Sequence, residues 1–160
     1  YQIDLDEPTT RGYATTLQED TPPHSTGPPD RQTLRLLERH FSSDSLVVKT
    51  SFDPGSYEPQ LLSALLEGDR YSDSVTVARL DVRWFTTSDC SLHYVEGHES
   101  GEHWECRWDR HPNPHNSRVH FHEPPSGTEI TDLERASLHP LEVYSTVLTA
   151  IEQRIETLWG

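Results

Sequence analysis

Between residues 75 and 109 apolar and polar side chains alternate along successive stretches separated by short turns, and this pattern narrows the possible folds most. In VTVARLDVRWF (75–85) Ala78, Leu80, Val82 and Trp84 share one face, and Arg79, Asp81 and Arg83 share the other. A period of two is the signature of a half-buried strand. After TTSD, CSLHYVEG (90–97) reads as a second strand, and Gly97 and Gly101 bracket a hairpin loop, GHESG. Residues 102–109 form a third, with Trp104, Cys106 and Trp108 toward the core and His103, Glu105, Arg107 and Asp109 outward. Three strands joined by short turns dictate an antiparallel meander.

The flanking segments supply what covers it. Asp30 has the character of an N-cap for a short amphipathic helix over 31–42, with Leu34, Leu37 and Phe41 on one face and Arg31, Arg35 and Arg39 on the other. LVVKTSF (46–52) is rich in β-branched and aromatic residues and reads as a strand before the Pro54–Gly55 turn. PQLLSALLE (59–67) suits a helical turn or a buried strand, and the meander beyond it favours the strand. RVHFH (118–122) returns as a short strand with His120 and His122 on one face, ended by Pro124 and Pro125; residues 126–138 read as a polar linker. Pro140 suits a first helical turn, and Leu141, Tyr144, Leu148, Ile151, Ile155 and Leu158 recur at helical spacing to residue 159. The expected class is α+β: a small antiparallel sheet packed against a long C-terminal helix and a short N-terminal helix. Residues 1–29 read as a flexible or extended tail, because TPPHSTGPPD offers little apolar surface to offset ordering entropy. Residues 30–160 read as one domain.

Charge bears on the environment. The sequence has 27 Asp and Glu against 13 Lys and Arg, a formal net charge of −14, and Lys49 is its only lysine. That balance resembles halophilic proteins, whose carboxylates hold a hydration shell at high internal salt. Such a net charge disfavours nucleic acid at long range, but at molar salt the screening length is about 3 Å and the local patch decides. The acidic, polar start (YQIDLDEPTT) is unlike a signal peptide, and no apolar run reaches the roughly 18 residues that a membrane-spanning helix needs. A cytoplasmic location follows as the expectation. Cys90 and Cys106 form no CxxC pair, so two buried free thiols are expected rather than a cysteine-based zinc site.

Titratable groups gather in residues 102–122, EHWECRWDRHPNPHNSRVHFH, which hold five of the ten histidines. Three readings fit. The first is RNA cleavage without a metal. It needs a base for the 2′-hydroxyl, an acid for the leaving 5′-oxygen and a cation for the phosphorane. Histidine suits both proton roles and arginine the third. His120 and His122 are the candidates for proton transfer, with His115 as alternate and Asp109 orienting an imidazole; Arg107, Arg110 and Arg118 are candidates for phosphate. The tryptophans and Tyr94 would stack bases. The second is a zinc or other divalent metal site built on His115, His120 and His122. The third is a non-enzymatic interaction module in which the cluster is structural and the arginines form ion pairs of little individual worth. Arg79 and Arg83 either extend a phosphate-binding surface or pair with nearby carboxylates. His24, His40 and His139 carry no chemistry: His24 is in the tail, His40 ends the first helix and His139 precedes the last.

Over Cys106–His122 the chain resembles the TumE-type toxin family of toxin–antitoxin modules. That family carries an aromatic-Arg-aromatic/Asp element, a loop with Pro and His, and a closely spaced His pair. The matching residues here are Arg107, Trp108, Asp109, Pro112, His115, His120 and His122, after a His93-Tyr94 strand. The sequence departs from the pattern in its long N-terminal extension and in HFH, where a basic residue often sits. The resemblance implies a small α+β protein that acts on RNA and is neutralised by an antitoxin with a DNA-binding fold. The wide apolar stripe of the last helix suits an antitoxin contact or a homodimer.

Overall fold

A computed structural model describes residues 27–111, 119–133 and 139–160. The elements run α1 (Arg31–Ser42), β1 (Val47–Asp53), β2 (Leu61–Leu66), β3 (Val75–Trp84), β4 (Cys90–His98), β5 (His103–Arg110), β6 (Val119–Glu123), β7 (Glu129–Leu133) and α2 (Pro140–Trp159). The strands lie in the order β1-β2-β3-β4-β5-β6-β7 with every neighbouring pair antiparallel, so the sheet is a meander. The α+β class expected from the alternation is what the chain adopts.

Alternation along the strands separates the two faces. Leu62, Ala64, Ala78, Leu80, Val82, Trp84, Leu92, Tyr94, Cys106 and Trp108 are buried in one cluster with Leu34, Leu37 and Phe41 of α1 and Val147, Leu148, Ile151 and Ile155 of α2. Both helices therefore cover the same face. Each fully buried aliphatic contributes roughly 1.5–3 kcal/mol, so the four from α2 far outweigh its intrinsic helix propensity. Local chemistry sets the helix starts. The Asp30 carboxylate accepts from Thr33 N at 3.1 Å and from Thr33 Oγ1 at 2.8 Å. His139 Nδ1 accepts from Leu141 N at 3.2 Å, one residue before Pro140. The helices meet where the Phe41 and Tyr144 rings pack edge to face with centroids 5.0 Å apart.

Two expectations need correction. Residues 126–138 are not all linker, because Glu129–Leu133 forms the edge strand β7 against β6. Its side chains are exposed on both faces except for Leu133, with Ile130 at 60% exposure, so no alternation marks it in the sequence. The aromatic groups expected to stack bases are not on the surface. Tyr94 and Trp108 are buried on the helix side of the sheet, and half-buried Trp104 packs against that cluster. Leu61–Leu66 is a strand, which resolves the ambiguity of that run. The cysteines are free and buried as expected, and burial pushes each thiol up to about 12. They do not face each other, since Cys106 lies opposite Tyr94 and Cys90 opposite Arg110. Of the N-terminal segment, residues 27–29 run beside the end of β3, where Pro28 O accepts from Thr86 N at 2.9 Å.

One charged group sits in the core. Glu96 is fully buried on the helix face of β4. Arg154 of α2 donates to both its oxygens at 2.9 Å, the Tyr94 hydroxyl donates at 2.7 Å, and His98 Nε2 lies 2.8 Å away. The Arg154 guanidinium also lies 3.8 Å from the centre of the Trp104 ring. Burial alone would raise the Glu96 carboxyl, but Arg154, Tyr94 and His98 together hold it below the ordinary carboxylate value.

Candidate active site

The face of the sheet away from the helices is polar, and the register assembles it. Arg107 lies opposite His93 on β4 and opposite His122 on β6. Asp109 lies opposite Ser91 on β4 and opposite His120 on β6. Side chains directly opposite on one face have Cβ atoms about 5 Å apart, so strands far apart in sequence deliver their polar groups to one patch.

Asp109 is the centre of that patch. Arg107 Nε donates to its Oδ2 at 2.8 Å, His122 Nε2 lies 2.9 Å from the same oxygen, and His111 Nε2 lies 3.6 Å away. Asp109 is buried, which by itself would raise its carboxyl. The surrounding His111, Arg107, Ser91 and His122 outweigh burial and hold it below the usual carboxylate range. His111 responds in the opposite sense, its pKa raised by the Asp109 carboxylate against a smaller effect of burial. His122 is 14% exposed, and both its ring nitrogens are in contact. Nε2 meets Asp109 Oδ2 and also lies 3.2 Å from an Arg107 NH2 group, while Nδ1 is 3.3 Å from Gly127 O. Burial and the Arg107 charge lower the His122 pKa, so the neutral ring is favoured at neutral pH even though Asp109 pulls the other way.

His120 is arranged differently. Its Nδ1 lies 2.8 Å from Asp132 Oδ1 of β7, close enough for a charge contact but not aligned as a hydrogen bond. Among the described residues its Nε2 has no polar partner. A nitrogen beside a carboxylate and another uncommitted nitrogen is the arrangement of an imidazole ready to exchange a proton.

The expected site residues therefore divide. Arg107, Asp109, His120 and His122 come together on one face. Arg110 shares the helix-side face with Trp108 and points its guanidinium toward Ser88 O at 3.4 Å. His115 and Arg118 lie outside the described residues. Arg79 pairs with Asp81 at 3.1 Å, whereas Arg83 is exposed on the same polar face with no ion pair among the described residues. No group of three or more His, Cys, Asp or Glu among the described residues has the geometry of a metal centre. His120 and His122, the two described members of the expected metal trio, each turn to a different carboxylate.

Sequence reasoning passed over a second imidazole–carboxylate pair. His93 Nε2 lies 2.7 Å from Glu105 Oε1 on the same polar face, and the His93 side chain is 31% exposed. Alternation along 90–97 put His93 on the face opposite Leu92 and Tyr94, but only the β4–β5 register brings it to Glu105 and Arg107.

A groove of about 280 Å³ lies on the helix side, lined by Trp104, Cys106, Trp108, Phe121, Ala150 and Arg154. No helix among the described residues is long and apolar enough to cross a membrane.

No curated protein and no solved structure matches the chain. Residues 30–155, which include both helices up to the last turn of α2 and every strand described above, match the family described as Toxin TumE. The Arg107–Asp109 pair and the two β6 histidines lie within that match, and the chain belongs to the TumE toxin family.

Proposed function

We propose that this toxin is an endoribonuclease of a cytoplasmic toxin–antitoxin module and that the polar face of its sheet carries the chemistry. The observation behind the reading is the convergence of Arg107, Asp109, His120 and His122 on a surface that neither helix covers. Arg107 uses Nε on Asp109, which fixes the guanidinium plane and leaves other N–H groups for phosphate oxygens. His120, beside Asp132, removes the 2′-hydroxyl proton. The 2′-oxygen attacks phosphorus, the P–O5′ bond breaks, and the products are a 2′,3′-cyclic phosphate and a 5′-hydroxyl end. His122 holds Asp109 and Arg107 in register. His115 and Arg118 remain candidates from the sequence, whereas Arg110 lies on the other face of the sheet. Binding of an antitoxin or of a second copy falls naturally on the groove beside α2.

The test is RNA cleavage by the purified chain at multimolar potassium chloride, with and without chelator. Cleavage that survives chelator supports imidazole acid–base chemistry. Stoichiometric metal and loss of cleavage on its removal would replace it with a histidine-bound ion. His120→Ala should reduce cleavage about 10²–10⁴-fold while the fold persists; undiminished cleavage by a folded variant removes His120 from the mechanism. A chain with neither cleavage nor metal is a binding module whose histidines are structural.

A further inference from the structure

We infer that His93 is the second proton-transfer residue of this site, the general acid that protonates the leaving 5′-oxygen from the side of Arg107 opposite His120 and His122. The inference rests on the ribonuclease reading and extends it to a residue on a different strand.

The geometry around Arg107 is close to a local twofold. On one side, Glu105 of β5 meets His93 of β4 at 2.7 Å; on the other, Asp109 of β5 meets His122 of β6 at 2.9 Å. The two carboxylates lie two residues before and after Arg107 on its own strand face, and the two histidines are its direct cross-strand partners. Neighbouring strands are roughly 4.8 Å apart, so the β4 and β6 backbones stand roughly 10 Å apart with the guanidinium between them. A phosphodiester held by Arg107 fills that gap and has an imidazole on each flank.

In-line displacement needs this disposition. The attacking and leaving oxygens sit on opposite sides of phosphorus, so one group cannot serve both without moving. The β6 side takes the proton from the 2′-hydroxyl. His93 enters as the imidazolium, gives its Nδ1 proton to the 5′-oxygen as the P–O5′ bond breaks, and ends neutral, with Glu105 accepting from Nε2 throughout. Nδ1 of His93 has no polar partner among the described residues, and the ring is accessible from the open face. His103, which shares β5's polar face, lies opposite Gly97 at the far end of the strand and has no such carboxylate partner among the described residues.

The deciding experiment compares two substrates on the full chain at multimolar potassium chloride. One is a dinucleotide, whose 5′-alkoxide leaving group needs a proton. The other is uridine 3′-(4-nitrophenyl phosphate), whose phenolate departs without one. His93→Gln should slow dinucleotide cleavage about 10²–10⁴-fold and leave the aryl ester within a few-fold of the unaltered chain. His120→Ala should lose both substrates. Glu105→Gln keeps the imidazole and should reproduce the His93→Gln pattern more weakly, which covers the case in which His93→Gln does not fold. Equal loss on both substrates, or no loss on the dinucleotide, overturns the assignment while leaving the ribonuclease reading intact. An unaltered, folded chain that cleaves neither substrate removes the ribonuclease reading and this assignment together.

Discussion

Asp109 holds three basic side chains around one buried oxygen, and that choice couples the site to pH. His111 has its pKa raised by Asp109, so their attraction stabilises the fold fully below the unfolded histidine value of about 6.5 and is lost as pH rises through the raised folded value. Asp109 has its own pKa lowered, so its ion pairs stabilise the fold above the unfolded aspartate value of about 3.9 and are lost as pH falls through the lowered one. Asp109→Asn removes both contributions. The variant should be less stable by about 1–3 kcal/mol, the cost of spoiling a buried hydrogen-bonding group. The gap should be widest between about pH 4 and 6.5, and urea unfolding across pH measures it. In the same variant the His111 titration, followed by NMR, should move down toward the ordinary histidine value. A gap that does not vary with pH would show that Asp109 acts by packing alone.

At the scale of elements, β5 is a strand with two occupations. Its helix-side residues Trp104, Cys106 and Trp108 belong to the core or pack against it, while its other face presents Glu105, Arg107 and Asp109 to the site. Period-two alternation marks both faces in the amino-acid sequence, which is why β3, β4 and β5 and the grouping of Arg107 with Asp109 are legible there. What alternation does not encode is register. The pairing of His93 with Glu105, and of His122 rather than the directly opposite His120 with Asp109, runs diagonally between neighbouring strands, and only the register brings those residues within reach. Nor does it encode an edge strand with two polar faces, as in β7. The role of Glu96 is hidden for another reason: its Arg154 partner lies in α2, 58 residues away, and only tertiary packing joins them. That pair ties helix to sheet through two hydrogen bonds to a buried carboxylate. Arg154→Leu leaves a fully buried carboxylate without its bidentate partner and should cost about 3–5 kcal/mol. Glu96→Gln combined with Arg154→Leu should recover part of the loss, and denaturant unfolding of the single and double variants reads it. Additive losses would mean that the two groups act independently.

For the whole molecule the decisive quantity is the excess of 27 acidic over 13 basic side chains, spread over 160 residues. Self-repulsion of that excess works against the compact state, and dissolved salt weakens it as the screening length falls from about 30 Å at 0.01 M to about 3 Å at 1 M. The midpoint of thermal unfolding should therefore climb steeply as potassium chloride is raised from millimolar to molar concentration. A midpoint that stays level or drops would mean that local ion pairs such as Arg154–Glu96 and Arg107–Asp109 outweigh the overall charge. The meander has a further consequence for the order in which the molecule comes into being. Each strand closes only a short stretch of chain to reach its partner, and local closure is fast. The helix side of β4 and β5, however, is buried against α2, which follows all seven strands among the described residues. During synthesis the seven strands can line up early, yet the strands bearing Arg107 and His93 stay unbacked until α2 has left the ribosome. The polar face that carries Arg107 and His93 therefore gains its backing only when α2 docks behind it, after the sheet itself has formed.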